Sequence, residues 1–201
     1  MKKYAQYNEE EFLLSYFKGI NNGFLVDIGA ADGINNSNSR YLIELGWSGL
    51  LVEPNKNNFN KLKDLYDKKD NIILENKGCS ENSIISAEFF IDKNDQYEQL
   101  STFNPKQVDK CKKMYNCGFI NDNIDLIKTS NLLADYSINK VDFMSIDTES
   151  YDSNVIKGID FNTCDIDLIC VEDDDDQISN ILMDNGYKIV YRTYNTFYSK
   201  K

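Results

Sequence analysis

The sequence predicts a doubly wound α/β fold, a mostly parallel sheet with helices on both faces and one antiparallel strand at the C-terminus. Three observations predict it. Short, nearly uniform apolar runs, Phe24-Leu-Val-Asp-Ile28, Gly49-Leu-Leu-Val52, Val141-Asp-Phe-Met-Ser-Ile146 and Asp167-Leu-Ile-Cys-Val171, read as strands covered on both faces. Stretches with helical apolar spacing separate them, the alternation that builds parallel sheets. The chain then closes on two strand-like runs, Tyr187 to Arg192 and Thr196 to Tyr198, joined by a turn around Asn195. That hairpin places an antiparallel strand at the sheet edge.

Taken in order, Glu9 to Lys18 carries Phe12, Leu13, Tyr16 and Phe17 at helical spacing and predicts an amphipathic helix, broken by Gly19 to Gly23. After the first strand and its glycine turn, Ser39 to Leu45 reads as a helix, with Ser37 or Asn38 as N-cap and Gly46 as its stop. Phe59, Leu62 and Leu65 mark a crossover helix over Asn57 to Tyr66, and Asn71 to Leu74 a short third strand. Ile84 to Ile91 alternates weakly enough to suggest an extra strand, and Asp92 to Thr102 reads as a loop. Pro105 at the first helical position opens a helix through Tyr115. Asn121 to Lys128 is extended, and Thr129 or Ser130 caps a helix to Asp135. Helices over Ser153 to Ile159 and Ile178 to Met183 follow the last two parallel strands, the second stopped by Asn185-Gly186.

Composition narrows the class. The 201 residues suit one domain, 1–201, and no run approaches eighteen apolar residues, so no membrane span is expected. The lysine-bearing N-terminus lacks an apolar signal core, so a cytoplasmic protein is the expectation. A net charge of −11 argues against a nucleic-acid partner, and the lysines at 61–69 and 106–113 read as solvated helix faces. The five cysteines form no Cys-x-x-Cys pair and there is no histidine. A structural zinc site is therefore not expected, and general-base chemistry falls to carboxylates.

In a doubly wound sheet, ligands bind at the carboxyl ends of the strands. The predicted strands end at Gly29, Glu53, Asn76, Asp147 and Glu172. Gly29-Ala-Ala-Asp-Gly33 is a turn that lets backbone approach a ligand, and Glu53, one strand over, suits two ribose hydroxyls. Asp27 is a buried acid in need of donors. Asp32 in the turn disfavours a pyrophosphate, which leans away from a nicotinamide dinucleotide and towards S-adenosylmethionine, whose ammonium Asp27 or Asp32 would meet. Asp147 and Glu149 share a side on an extended segment, one to orient, one to draw a proton from an acceptor hydroxyl. The acidic run Glu172-Asp-Asp-Asp-Asp176 reads first as a solvated loop. A divalent cation there with Asp147 is an open alternative, and no metal ligands are assigned.

These residues, with Tyr4-Ala-Gln6, Ser37-Asn-Ser39, Leu45-Gly-Trp-Ser-Gly-Leu-Leu-Val-Glu-Pro-Asn55, Asn76-Lys-Gly-Cys-Ser80, Leu100-Ser-Thr102, Asp147-Thr-Glu149 and Val171-Glu172, resemble the FkbM-type S-adenosylmethionine-dependent methyltransferases along nearly the whole chain. The resemblance implies a Rossmann-like, class I methyltransferase sheet of seven strands with a reversed last strand. It also implies transfer of a methyl group to a hydroxyl of a sugar or small natural product. The cofactor-binding set it implies is Asp27, Gly29 and Gly33 at the methionine part, Glu53 at the ribose and Gly78 and Cys79 by the adenine, with Ala30, Asn38 and Pro54 also in the set. Asp147 lies beside the sulfonium, and Asp147 and Glu149 are the implied catalytic pair. The chain departs from the pattern at Ser150, where a glycine is common, and at Asp173-Asp174, where many members carry His-Asn. Those departures keep a binding protein without catalysis as a rival, and a nucleotide-dependent oxidoreductase as a second. The N-terminal 1–22 is a helical lead-in, and 83–130 an irregular insertion expected to shape the acceptor side. There Tyr97, Phe103, Tyr115 and Phe119 are candidates for stacking on a sugar, with core packing as their default role.

Overall fold

The computed structural model describes residues 3–93, 99–172 and 175–201. Seven strands form the main sheet: β1 (Phe24–Ile28), β2 (Ser48–Val52), β3 (Ile72–Glu75), β7 (Lys140–Ile146), β8 (Asp165–Val171), β9 (Lys188–Arg192) and β10 (Thr196–Ser199), in the order β3-β2-β1-β7-β8-β10-β9. The order reverses at β1, between β2 and β7, which is where such a sheet opens a crevice. Strands β1, β2, β3, β7 and β8 pair in parallel, and β10 runs antiparallel to both neighbours.

Period-two alternation distributes the core between two layers. Leu25 and Leu51 face α1 (Glu9–Tyr16), α2 (Arg40–Glu44) and α3 (Lys56–Tyr66), packing with Leu13, Phe17, Leu42, Ile43 and Leu62. Val26, Ile28, Leu50 and Val52 face the other way. They join Leu132, Leu133, Val155, Ile156, Ile178 and Leu182 of α5 (Thr129–Asp135), α6 (Asp152–Lys157) and α7 (Asp176–Asp184). Helices cover both faces, as the uniformly apolar strands require. Each fully buried Leu, Ile or Val contributes roughly 1.5–3 kcal/mol relative to exposure. Local signals set the boundaries too: Asn55 and Asn104 accept from Asn57 N (2.9 Å) and Lys106 N (3.0 Å) as N-caps of α3 and α4 (Pro105–Tyr115).

One expectation is corrected. The reversed strand is not at the edge: β10 is inserted between β8 and β9, and β9 takes the edge. Burial explains the order. All four residues of β10 are buried, so it needs neighbours on both sides, whereas β9 carries Lys188, Ile189 and Arg192 exposed and tolerates an unpaired rim.

The segment 83–130 is more regular than its sequence suggests. β5 (Ile84–Asp92) and β6 (Phe119–Lys128) pair antiparallel along most of their length, and α4 connects them. A short strand absent from the sequence reading, β4 (Gly78–Ser80), pairs in parallel with β6 and completes a second sheet in the order β4-β6-β5. This sheet stands over the carboxyl ends of the main one. The former loop 92–102 lies partly outside the described residues, as do Tyr97, Asp173 and Asp174. No helix among the described residues is long and apolar enough to cross a membrane.

Candidate active site

Strand register assembles the site. Ile28 pairs with Val52 on one side and Ile146 on the other, and Ile146 pairs with Val171. The next residue of each strand, Gly29, Glu53, Asp147 and Glu172, therefore falls in one row along the sheet edge. A cavity of about 360 Å³ opens there, within the range of small-molecule sites.

Glycine is required inside the row, between Glu53 and Asp147. Gly29 has φ +88°, and a Cβ on it would overlap the carbonyl oxygen of Asp147. Its N–H is held by Val52 O (2.9 Å), so the turn bends across the tip of β2. Glu53, 5% exposed, reaches back to that turn: Oε2 accepts from Ala31 N at 2.8 Å and Oε1 from Asn55 N at 2.7 Å. Burial outweighs these two donors and pushes its pKa up to about 7. Asp27, equally buried and bonded by the Ser39 hydroxyl, is pushed up to about 6 by the same cause. Both acids lack donors enough to ionise easily, a demand that ribose hydroxyls and an ammonium would meet. Among the described residues Asn38 Oδ1 is buried with no hydrogen-bond partner and lines the same cavity, so it too calls for a donor. These observations fit an adenosyl cofactor with an amino-acid tail.

Asp27, Gly29, Ala30, Asn38, Glu53 and Pro54 all line the cavity. So do Gly78, Cys79, Asp147 and Glu149 from the far side. Gly33 does not. At φ +71° it backs onto α3, where a Cβ would come within 2.6 Å of Leu62 Cδ2, so its role is to let the turn pack on that helix. Asp32 is also turned away: its carboxylate accepts from Ile34 N and Asn35 N, both at 2.9 Å, and stabilises the loop. Phe103 and Tyr115 line the cavity, and Phe119 does not. Sequence reasoning missed Gln6, Gln107, Tyr151 and Tyr194, because isolated polar and aromatic residues carry no periodic or spacing signal. The five cysteines are buried thiols, and Cys79 is pushed up to about 12 by burial, which makes it a packing group at this wall.

At the other end of the row, ligand oxygens of Asp147, Glu149 and Glu172 lie within 4.8 Å of one another. Burial first, and the charges of Glu172 and Glu149 next, hold the Asp147 pKa well above the usual carboxylate range. A proton on Asp147 donated to Glu172 relieves the repulsion. The pair Asp147 and Glu149 meets as expected, but not through an extended segment. Glu149 and Ser150 have φ +53° and +66°, a left-handed turn after β7. Two donors from outside hold that turn: Thr102 Oγ1 to Glu149 O (2.7 Å) and Asn104 Nδ2 to Ser150 O (2.9 Å). Left-handed backbone costs a non-glycine residue about 1–2 kcal/mol, which is why glycine suits position 150. Ser150→Gly is expected to raise stability by about 0.5–1 kcal/mol, the strain relieved less the entropy glycine adds to the unfolded chain. Urea denaturation would measure it, and a loss of stability would contradict the strained turn.

A model of the FkbM methyltransferase domain matches residues 27–189, most of the chain and all four members of the strand-end row. No curated protein sequence matches significantly. Among solved structures, a putative methyltransferase, yhhF, from Escherichia coli is similar with a TM-score of 0.51 at 9% identity, over 100% of this chain and 89% of that one. A SAM-dependent methyltransferase from Aquifex aeolicus is similar at 0.48 and 14% identity, over 96% and 89% of the two chains. A precorrin-6y C5,15-methyltransferase from Geobacter metallireducens is similar at 0.47 and 14%, over 98% and 90%. At 9% identity the first of these likenesses speaks for the fold alone, a mostly parallel α/β sheet. The family match over the residues that this sheet gathers at one cavity says more: the chain belongs to the FkbM methyltransferase family.

Proposed function

We propose that this protein is an S-adenosylmethionine-dependent O-methyltransferase whose acceptor is a hydroxyl of a sugar or another small molecule. The observation that carries the reading is the row of strand-end groups. A buried carboxylate bonded to the glycine turn stands at one end, and a carboxylate cluster at the other. When bound, the cofactor supplies an electrophilic methyl group on a sulfonium. Asp27, Asn38 and Glu53 hold its polar parts by accepting hydrogen bonds, and Gly29 and Gly78, whose missing side chains let Asp147, Leu126 and Phe103 pack close, line the same cavity. Asp147 keeps a proton that it donates to Glu172, which leaves Glu149 to receive the proton of the acceptor hydroxyl. Phe103, Tyr115 and Tyr151 offer faces on which a sugar ring stacks. Transfer in line needs the oxygen about 3 Å from the methyl carbon, so holding the two reactants together supplies much of the acceleration.

Calorimetric titration with S-adenosylmethionine, followed by transfer of a radiolabelled methyl group to a panel of methyl glycosides, tests both halves. Binding without transfer to any glycoside or simple alcohol would favour the non-catalytic rival, and absence of binding would end the reading.

Binding has an expected pH signature. Without cofactor, Glu53 and Asp27 hold protons more tightly than in the unfolded chain. Their contribution to stability is therefore complete below about pH 4, and is lost as pH rises through about 6 to 7. Ionised Glu53 is the better acceptor for two ribose hydroxyls, and ionised Asp27 for an ammonium. Binding then releases protons, so affinity should rise as pH increases from about 5.5 and level off above about 7.5. Titrations in buffers of different ionisation enthalpy read the released protons directly. Affinity that is flat across this range would show that neither acid meets the cofactor.

A further inference from the structure

Gln107 lies in the first turn of α4, only 9% exposed, and its Nε2 donates to Glu149 Oε2 at 3.2 Å. Burying a primary amide costs free energy unless its polar ends are bonded, and an apolar side chain of equal length would fill the space without that cost. Thr102 and Asn104, from the same short segment, donate to the two carbonyls of the left-handed turn. Three donors within six residues thus grip three oxygens of Glu149 and Ser150. Their anchor is the second sheet: Thr102 exchanges both backbone hydrogen bonds with Phe90 of β5, at 2.9 and 3.0 Å.

We propose that Gln107 is a positioning residue, which sets the direction of the Glu149 carboxylate so that the second sheet, rather than the main one, aims the group that receives the acceptor's proton. An amide N–H can only donate, so it ties down one carboxylate oxygen in a fixed direction. The consequence for transfer rests on the proposed reaction; the coupling between Gln107 and Glu149 does not.

The test uses the full chain with 13C at the glutamate side-chain carboxyl carbons, Glu149→Gln identifying the Glu149 signal. Gln107→Met keeps the length and loses the donor. It is expected to displace the Glu149 signal while S-adenosylmethionine affinity stays within about twofold, and to lower turnover of any methylated glycoside about tenfold without raising KM. Gln107→Glu regains a donor only when its new acid is protonated, so its Glu149 signal should return towards the wild-type position as pH falls. The charged and titratable groups around it are Glu149, Asp147 and Glu172 at the strand ends, Asp92 at the end of β5, and Lys110 and Cys111 on α4. A packing role would leave the Glu149 signal in place in Gln107→Met, whose side chain fills the same space. An unmoved signal in Gln107→Met overturns the proposal, and so does a parallel loss of cofactor affinity. If the wild-type protein binds no cofactor, the proposed reaction fails while the carboxyl signal still reports the coupling.

Discussion

Replacing Glu53 with alanine is expected to weaken S-adenosylmethionine binding about a thousandfold, because each charge-assisted hydrogen bond to a ribose hydroxyl contributes roughly 1.5–3 kcal/mol. The geometry explains why no other side chain substitutes. Each carboxylate oxygen already accepts one backbone N–H, from Ala31 and from Asn55, which locks the head group with its remaining lone pairs free to meet a ligand. Glutamine cannot copy this, since its NH2 would face one of those two N–H donors. Aspartate is one methylene too short to bridge the turn and Asn55. Alanine also leaves both backbone donors without their partner, so stability should fall by about 2 kcal/mol as well. Affinity must therefore be measured by calorimetry well below the melting temperature of the variant. Glu75, at the end of β3 and paired with Lys77 and Tyr136, is the control, and Glu75→Ala should leave binding unchanged. Binding that survives Glu53→Ala would remove the ribose contact from the proposal.

The pH dependence and the Glu53 variant make one argument. A carboxylate that burial holds near pH 7 is unfavourable in the free protein and becomes favourable only when donors arrive. Burial that destabilises the charged form without a ligand sharpens the preference for one. The same logic applies to Asp27, which accepts from the Ser39 hydroxyl. At the far end the carboxylates meet one another instead, and burial together with their repulsion favours a proton on Asp147.

Legibility in the sequence followed how local each signal is. The four central strands, the glycine turn and Glu53 were readable because apolar runs fix the strands, and parallel register then aligns whatever residue follows each one. The position of β10 was not readable: which strand of a terminal hairpin takes the edge depends on cover from helices distant in sequence. β4 escaped notice because three residues carry no periodicity, and they become a strand only by pairing with β6 some 48 residues later. Gly33 and Asp32 share the loop with Gly29, yet packing on α3 and local capping claim them. Glu149 was placed correctly for the wrong reason, since a left-handed turn, not an extended strand, brings it to Asp147. Gln107 gave no warning at all. Its meaning lies in a contact between α4 and the turn after β7, far apart in sequence.

Gly29→Ala is the change expected to damage the fold most at the site, by about 4 kcal/mol. Two costs add. The residue would have to hold φ +88°, at about 1–2 kcal/mol for a side chain with Cβ. The new methyl would also overlap the Asp147 carbonyl oxygen, with Thr148 Cγ2 behind it at 3.4 Å, and relieving such an overlap costs typically 1–3 kcal/mol. Backbone cannot yield cheaply here, because Gly29 N is bonded to Val52 O and Asp147 N to Ile28 O, at 2.9 and 3.0 Å. The tips of β1 and β7 must part, and that widens the gap between Glu53 and the carboxylate cluster. Gly46 separates the two costs: it has φ +97° and nothing within 4 Å of an added Cβ, so Gly46→Ala should show the conformational cost alone. Urea denaturation of both variants reads the difference. Cofactor affinity should fall in Gly29→Ala and hold in Gly46→Ala, since only the first disturbs the turn that Glu53 grips. Equal destabilisation by the two substitutions would mean that β1 and β7 do not meet this closely, and the strand-end row would lose its geometric basis.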